Sequence, residues 1–369
     1  MTKPKVAIIG LGVVGLSIAE KLSGSGYDVT GYEQFDPMHN KGSSHGDTRI
    51  FRLIPWEGEP YIMMAQQAYH GWHQWSQQRE APLLNSVGHV DIITEGNELS
   101  VFEVRDIYQK SNLEYEEIDC DKAKALFDNQ IDIPVEAVNF YQKQSGVIYA
   151  DATRDFLNKS TLKNGAILHY NTEVLEIDLV LKAVTTAQGK EIFDSIFICC
   201  GAWLKQLCPF VSHVEILRKP LGWFRQKNGI AANWPTYLTL HGKGVYGMPT
   251  PDGGYKYGLH YSGHKLSLPD REDYNEEDAS TISSAIRDMF PAMEERPYQG
   301  AVCLYTMLRN DDFLIDRHPE NNDIILFSCC SGHGFKYAPV YGEIALSFIK
   351  VSSLPFSMDR FSLGRHLEE

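Results

Sequence analysis

Several residues in this chain have types and spacings that could do chemistry. Gly10-x-Gly12-x-x-Gly15 follows the apolar run "VAII" and precedes a helical pattern, an arrangement that can cradle a pyrophosphate on unpaired backbone N–H groups. Arg49 and Arg52 lie three apart in the polar, glycine-rich segment "KGSSHGDTRIFRL". That segment is a loop near bound phosphates, or else a solvated arginine-bearing loop. Lys256 and His260 lie four apart in the aromatic run "GGYKYGLHYSG". Cys303, in "AVCLYTMLRNDDFL", belongs to no CxxC and has no cysteine within twenty residues on either side. Its spacing alone reads as a small apolar residue of a buried strand; the alternative is a thiol free to bond a cofactor. His70 and His73 in "YHGWHQWSQQ" are three apart, but no carboxylate or cysteine follows at a ligand position. That segment reads as an amphipathic packing helix, and no metal site is expected.

The elements that must hold the glycines are legible. Val14, Ile18 and Leu22 repeat every four residues after the turn, and "YDVTGYE" reads as a second strand ending at Glu33. That is the βαβ order of a dinucleotide-binding unit. Gly10 allows the tight turn, Gly12 lets the backbone approach a pyrophosphate, and Gly15 permits close packing of helix on strand. Val13 and Val14 lie at the phosphate-facing helix start. Glu33 is placed to bind ribose hydroxyls, and its carboxylate disfavours a 2′-phosphate, hence NADP. The motif does not separate NAD from FAD.

A length of 369 residues suits two domains, and 43% hydrophobic with 22% charged residues is ordinary for a globular protein. No run approaches the ~18 apolar residues of a membrane span. The opening "MTKPKVAIIGLGVVG" reads as a folded strand–turn–helix rather than a signal peptide, so a cytoplasmic protein is expected. The seven cysteines lack metal-type spacing, and the pairs Cys199–Cys200 and Cys329–Cys330 lie in apolar runs that imply packing in a reducing compartment. A net charge of −14 argues against nucleic-acid or anionic-membrane partners. An anionic substrate would need a local cluster of cations.

Past Glu33 the chain resembles the monomeric sarcosine oxidase family of flavin amine oxidases. Gly42 to Arg52 match that family's G-S-x-H-G-D-T-R-x-x-R segment. "FDSIFICCGAWLKQL", "GGYKYGLHYSG", "CLYTM" and "SCCSGHGFKYAPVYGEIAL" match further elements in the same order. The resemblance is weakest at about residues 90–140 and 205–245. It implies FAD as cofactor, a small-molecule amine or imino acid and dioxygen as partners, and a monomer.

The resemblance also implies roles. The C-x-Y-T element would bond the Cys303 sulfur to the 8α-methyl carbon of FAD. Arg52 and Lys336 would clamp a substrate carboxylate, with the planar fork of the arginine and the point charge of the lysine. Arg49 and Lys256 would be flavin-facing cations, Lys256 serving oxygen activation. His260 and Tyr305 would line the substrate side. Gly42, Ser43, His45 and Thr48 belong to the flavin loop, Gly201 and Trp203 to the G-A-W strand end. Gly332, His333, Gly334, Phe335 and Lys336 form a turn whose N–H groups and helix dipole would face the flavin. Trp223 and Phe224 are placed either in the substrate pocket or in the framework.

The expected fold is α/β, a Rossmann-like FAD-binding domain (residues 1–85, 141–210 and 304–369) with a discontinuous antiparallel β-sheet substrate or lid domain (86–140 and 211–303). "VGHVDIITEG" and the strands after Pro220 read as hairpins with turns at Gly88, 252–254 and Gly263; "PDREDYNEED" reads as a solvated loop and helix start. The reading is an FAD-dependent oxidase of a secondary amine bearing a carboxylate. The alternatives are a dehydrogenase of the same fold using another electron carrier, and a non-enzymatic redox-sensing module.

Overall fold

The computed structural model describes residues 3–94, 99–229, 231, 233–240, 242–267 and 271–367; Glu95–Gly96 and Pro269–Asp270 of the segments quoted above lie outside the described residues. The glycine-rich turn opens a six-stranded sheet. Lys5–Ile9 lies between Asp28–Tyr32 and Ser195–Ile198, with Ile167–His169 and Asn321–Ser328 beyond them, all parallel; Leu314–His318 closes one edge antiparallel. Such strands are covered on both faces, which is why "VAII", "SIFI" and "IILF" are continuously apolar. Val6 and Ile8 pack toward the helices Val13–Gly24 and Ala338–Lys350, while Ala7 and Ile9 pack on the opposite face with Val184 and Phe193. On that face the strands Val174–Asp178, Ala183–Thr186 and Gly189–Ile192 form a small antiparallel sheet. Among the described residues no helix is long and apolar enough to cross a membrane.

A second, nine-stranded sheet has Glu215–Phe224 as its spine, paired antiparallel with His264–Leu266, Tyr255–Leu259 and Gln299–Met307. Val245–Pro249 and Tyr255–Leu259 form the expected hairpin across Asp252 and the positive-φ Gly253. The hairpin expected at "VGHVDIITEG" does not form. His89–Ile93 runs parallel to Thr236–Thr239 and antiparallel to Val138–Gln142, so its partners come from distant sequence. Gly88 has a positive φ, yet it forms no local turn and its N–H bonds the carbonyl of Ser145.

The domain breaks drawn at 140/141 and 303/304 fall inside the strands Val138–Gln142 and Gln299–Met307. Ladder hydrogen bonds carry both strands across those points and keep them wholly in the second sheet. A third sheet, in which Gly146–Tyr149 pairs with Thr48–Phe51 and Leu84–Asn85, lies in the flavin-loop region and presents Arg49 and Arg52.

Two glycines fix the nucleotide turn. Gly10 has φ +89°, and a Cβ there would lie 2.6 Å from the Cys199 carbonyl oxygen; a Cβ on Gly15 would lie 1.9 Å from the Gly10 oxygen. Gly15→Ala should therefore cost about 3 kcal/mol or more of stability, at the upper end of overpacking costs. The expected readout is a lower denaturation midpoint together with loss of bound flavin.

Candidate active site

A long cleft runs from the glycine turn to the seam between the two large sheets, lined at one end by Gly10, Gly12, Val13, Val14 and Glu33. The helix Val13–Gly24 starts there, with Gly12 as its extended N-cap, so its N-terminal dipole faces the cleft. Glu33 is held rigid: Oε2 accepts from the Leu11 N–H at 2.9 Å and Oε1 from the Phe35 N–H at 3.1 Å. Gly42, Ser43, Gly201 and Trp203 line the middle. Gly15, His45 and Thr48, three of the expected cofactor contacts, do not line the cleft. Gly15 packs against Gly10, His45 stands behind the wall, and the Thr48 carbonyl rather than its hydroxyl is used.

Cys303 lies in that wall, buried. Its sulfur is 3.6 Å from His45 Nε2 and 3.6 Å from Arg49 Nη2. Burial alone would push the thiol up; His45, Arg49 and Lys256 outweigh it and bring the pKa down to about 6. A thiolate at neutral pH is the reactive form of cysteine. His45 is itself placed by Nε2 against the Val302 carbonyl at 3.0 Å. Cys199, Cys200, Cys329 and Cys330 also line the cleft.

Two cations flank the sulfur, neither in an ion pair with a carboxylate among the described residues. Arg49 donates to the carbonyls of Thr48 (2.8 Å), Ser43 and His45 (2.6 Å each). Lys256, 1% exposed, donates to the carbonyls of Gly46 (2.6 Å) and Thr48 (2.5 Å). Burial, reinforced by Arg49, lowers its ammonium to about 7. Trp223 and Phe224 do not line the cleft and are framework; the Trp223 indole donates to Asp47 at 2.9 Å.

At the far end Arg52 and Lys336 meet, as expected, and they already grip a carboxylate. Glu57 Oε1 is 3.4 Å from Arg52 Nη2, 3.6 Å from Lys336 Nζ and 3.3 Å from His333 Nδ1. Burial opposes the Glu57 charge, but Lys336, His333 and Arg52 hold its carboxyl well below the usual range. Burial, partly offset by Glu57, lowers Lys336 to about 7 and His333 to about 3. His333 Nε2 donates to the Asp311 carbonyl, so in the neutral ring a lone pair on Nδ1 opposes Glu57. Arg52 Nη1 is buried without a hydrogen-bond partner among the described residues. Trp72, read from sequence only as helix packing, donates its indole N–H to the Lys336 carbonyl at 2.8 Å and braces the turn.

His260, Tyr305 and Tyr246 stand between clamp and sulfur. The Tyr305 and Tyr246 hydroxyls are 3.4 Å apart. Burial, with Lys219 and Arg52, lowers His260 to about 4, so its imidazole is neutral. Gly332 and Gly334 close the wall, where a Cβ on Gly332 would strike the Tyr305 ring at 2.7 Å; Phe335 lies 5.6 Å from the Arg49 guanidinium. Glu57 and Tyr246 carried no sequence signal beyond their residue types, because contacts made across the seam place them.

The family model for FAD dependent oxidoreductases, DAO, matches residues 5–347. The chain belongs to this family. Among curated members it is similar to monomeric sarcosine oxidase of Bacillus sp. (strain B-0618), 25% identical over 98% of this chain and 95% of that protein. It is also similar to N-methyl-L-tryptophan oxidase of Yersinia pestis (strain Pestoides F), 27% identical over 97% and 98%. Among solved structures, NikD, an amino acid oxidase essential for nikkomycin biosynthesis, superposes with a TM-score of 0.84 at 18% identity, covering 98% of both chains. L-proline dehydrogenase from P. horikoshii does so with 0.84 at 19%, covering 98% of this chain and 96% of that one. These two likenesses concern the fold. The protein is an FAD-dependent oxidoreductase, and its cleft fits the cofactor: a glycine cradle no side chain could enter, a fixed acid at the second strand end and a low-pKa thiol in the wall.

The lysine at the clamp gives a pH signature. Lys336 is an ammonium below about 7 and loses its charge above it. Affinity of the holoenzyme for benzoate, a carboxylate without an amine, should fall as pH rises through that value. Titration by flavin absorbance checks this, and Lys336→Met should bind weakly with no such pH dependence.

Proposed function

We propose that this enzyme oxidises the C–N bond of a secondary amine that bears a carboxylate, such as an N-methyl, cyclic or glycated amino acid. The product is an imine, and dioxygen is reduced to hydrogen peroxide. The observation that carries this reading is the pair Arg52 and Lys336, both lining the cleft, closing together on the Glu57 carboxylate. The names of the curated relatives, oxidases of sarcosine and of N-methyl-L-tryptophan, support the same substrate class. In the balance, substrate gives up two electrons and two protons, dioxygen takes both, and water hydrolyses a linear imine.

Bound FAD supplies the two-electron acceptor and the route to dioxygen. The chain supplies orientation and charge. Arg52 and Lys336 fix the carboxylate and so place the amine near His260 and Tyr305. A neutral His260 can accept an amine N–H without requiring a charged partner, so the site favours the uncharged amine. Lys256 holds a buried positive charge beside the sulfur that would stabilise charge developing on oxygen. Cys303 is assigned as the covalent attachment point, on the strength of its depressed pKa and its place in the wall.

Three measurements test this. Protein denatured in acid and pelleted should carry flavin colour, lost in Cys303→Ser; colour in the supernatant would remove the covalent assignment. Peroxide release should appear with one class among N-methyl amino acids, L-proline or pipecolate, and fructosyl amino acids. Turnover only with an artificial electron acceptor would instead mark a dehydrogenase. Lys256→Met should slow aerobic reoxidation ~10²–10³-fold, the size of one preorganised electrostatic contact, while anaerobic reduction by substrate changes little. In the wild type, reoxidation should weaken as pH rises through about 7, where Lys256 loses its charge.

A further inference from the structure

The residues just after Arg52 are held by a buried polar cluster that belongs to the other sheet. Asp91, on His89–Ile93, has no exposed surface and its carboxylate accepts from four side chains. His89 Nε2 meets Oδ1 at 2.8 Å; Trp56 Nε1 at 2.9 Å, Gln142 Nε2 at 3.4 Å and the Tyr108 hydroxyl meet Oδ2. His89 is kept neutral by burial, with Nδ1 2.8 Å from the Thr236 hydroxyl. Gln142 Oε1 accepts the backbone N–H groups of Leu53 (3.1 Å) and Ile54 (2.9 Å), and Ser145 Oγ also accepts from Leu53. The Trp56 ring stands 4.3 Å from the Arg52 guanidinium carbon.

A carboxylate buried this deeply is costly to desolvate, and a neutral group of the same shape would fill the space. What the charge adds is directional. It anchors the indole N–H, and its field favours the Arg52 cation. Two groups of the second sheet thus fix both the chain that follows Arg52 and the aromatic face against which the guanidinium rests.

We propose that Asp91 and Trp56 are positioning residues of the carboxylate clamp: Asp91 holds the Trp56 indole over the Arg52 guanidinium and so fixes that guanidinium at the end of the cleft where a substrate carboxylate would bind. This rests on the clamp reading given under Proposed function. It extends the site by two residues that do not touch substrate themselves.

Trp56→Phe keeps an aromatic face while removing the N–H donor along with one ring; Asp91→Asn keeps the shape and removes the charge. The dissociation constant of benzoate is measured on each flavin-loaded enzyme by absorbance, with KM and kcat for the substrate that emerges from the peroxide screen. The expected result is about a tenfold rise in the benzoate constant and in KM for each variant, with a much smaller fall in kcat. The double variant should be no worse than the weaker-binding single one, because both act through one hydrogen bond. A packing defect alone would lower the melting temperature without this KM-against-kcat split. Unchanged benzoate affinity in Trp56→Phe, which decides the matter should Asp91→Asn not retain flavin, overturns the inference while leaving the clamp intact. Wild-type holoenzyme that takes neither benzoate nor any carboxylate substrate overturns the clamp and the inference together.

Discussion

The burial of positive charge beside one cleft is the constraint to which much of this structure answers. Arg52, Lys219, Lys256 and Lys336 are all less than a tenth exposed in a chain of net charge −14. Removing an ion from water costs several kcal/mol even after relaxation. Carboxylates would be the simplest compensation, yet most of these cations are held by backbone carbonyls. Arg49 takes three, Lys256 two, and Lys219 takes those of His260 and Ser262. Carbonyl dipoles stabilise a cation without neutralising it, so the cleft keeps a positive field for anions that arrive. Glu57 is the exception, a carboxylate that meets both Arg52 and Lys336.

Supplying that many carbonyls from the right directions requires several chain segments at one seam. Residues 42–52 fold back over the strand that carries Cys303, and their peptide oxygens meet Arg49 and Lys256 from below. The second sheet sets the other side by register: Lys219 lies opposite Cys303, and Trp223 and Met248 lie opposite Lys256. A slip of one residue in either ladder would turn these side chains to the other face of the sheet. The glycines at 332 and 334 complete the seam by letting backbone approach Tyr305 and Cys329 more closely than a side chain would permit.

Local rules made the nucleotide end legible: Gly10, Gly12, Gly15 and Glu33 lie within one βαβ unit, and the predicted strands and helix appear there. The cationic residues were legible only through resemblance, since nothing in the spacing of Arg52 and Lys336, nearly three hundred residues apart, brings them together. Glu57, Trp56 and Asp91 were not legible because their roles come from contacts across the seam. The failed hairpin at His89–Ile93 has the same cause: alternation and a glycine identify a strand without naming its partners, which here are remote, one parallel and one antiparallel. Domain breaks drawn at 140/141 and 303/304 cut two strands whose ladders keep them wholly in the second sheet.

The thiols around the cleft sort by charge state, and that sorting decides which of them an oxidant would attack first. Burial raises Cys199, Cys200 and Cys329, which therefore stay protonated and react slowly with peroxide. Cys303 alone is pulled toward thiolate by its cationic neighbours. As a free thiolate it would be the first of these sulfurs oxidised to a sulfenic acid, an oxidation state that a thioether sulfur cannot form. The same charges that make this sulfur nucleophilic thus also make it the thiol most open to over-oxidation, reversible at the sulfenic acid and irreversible beyond it.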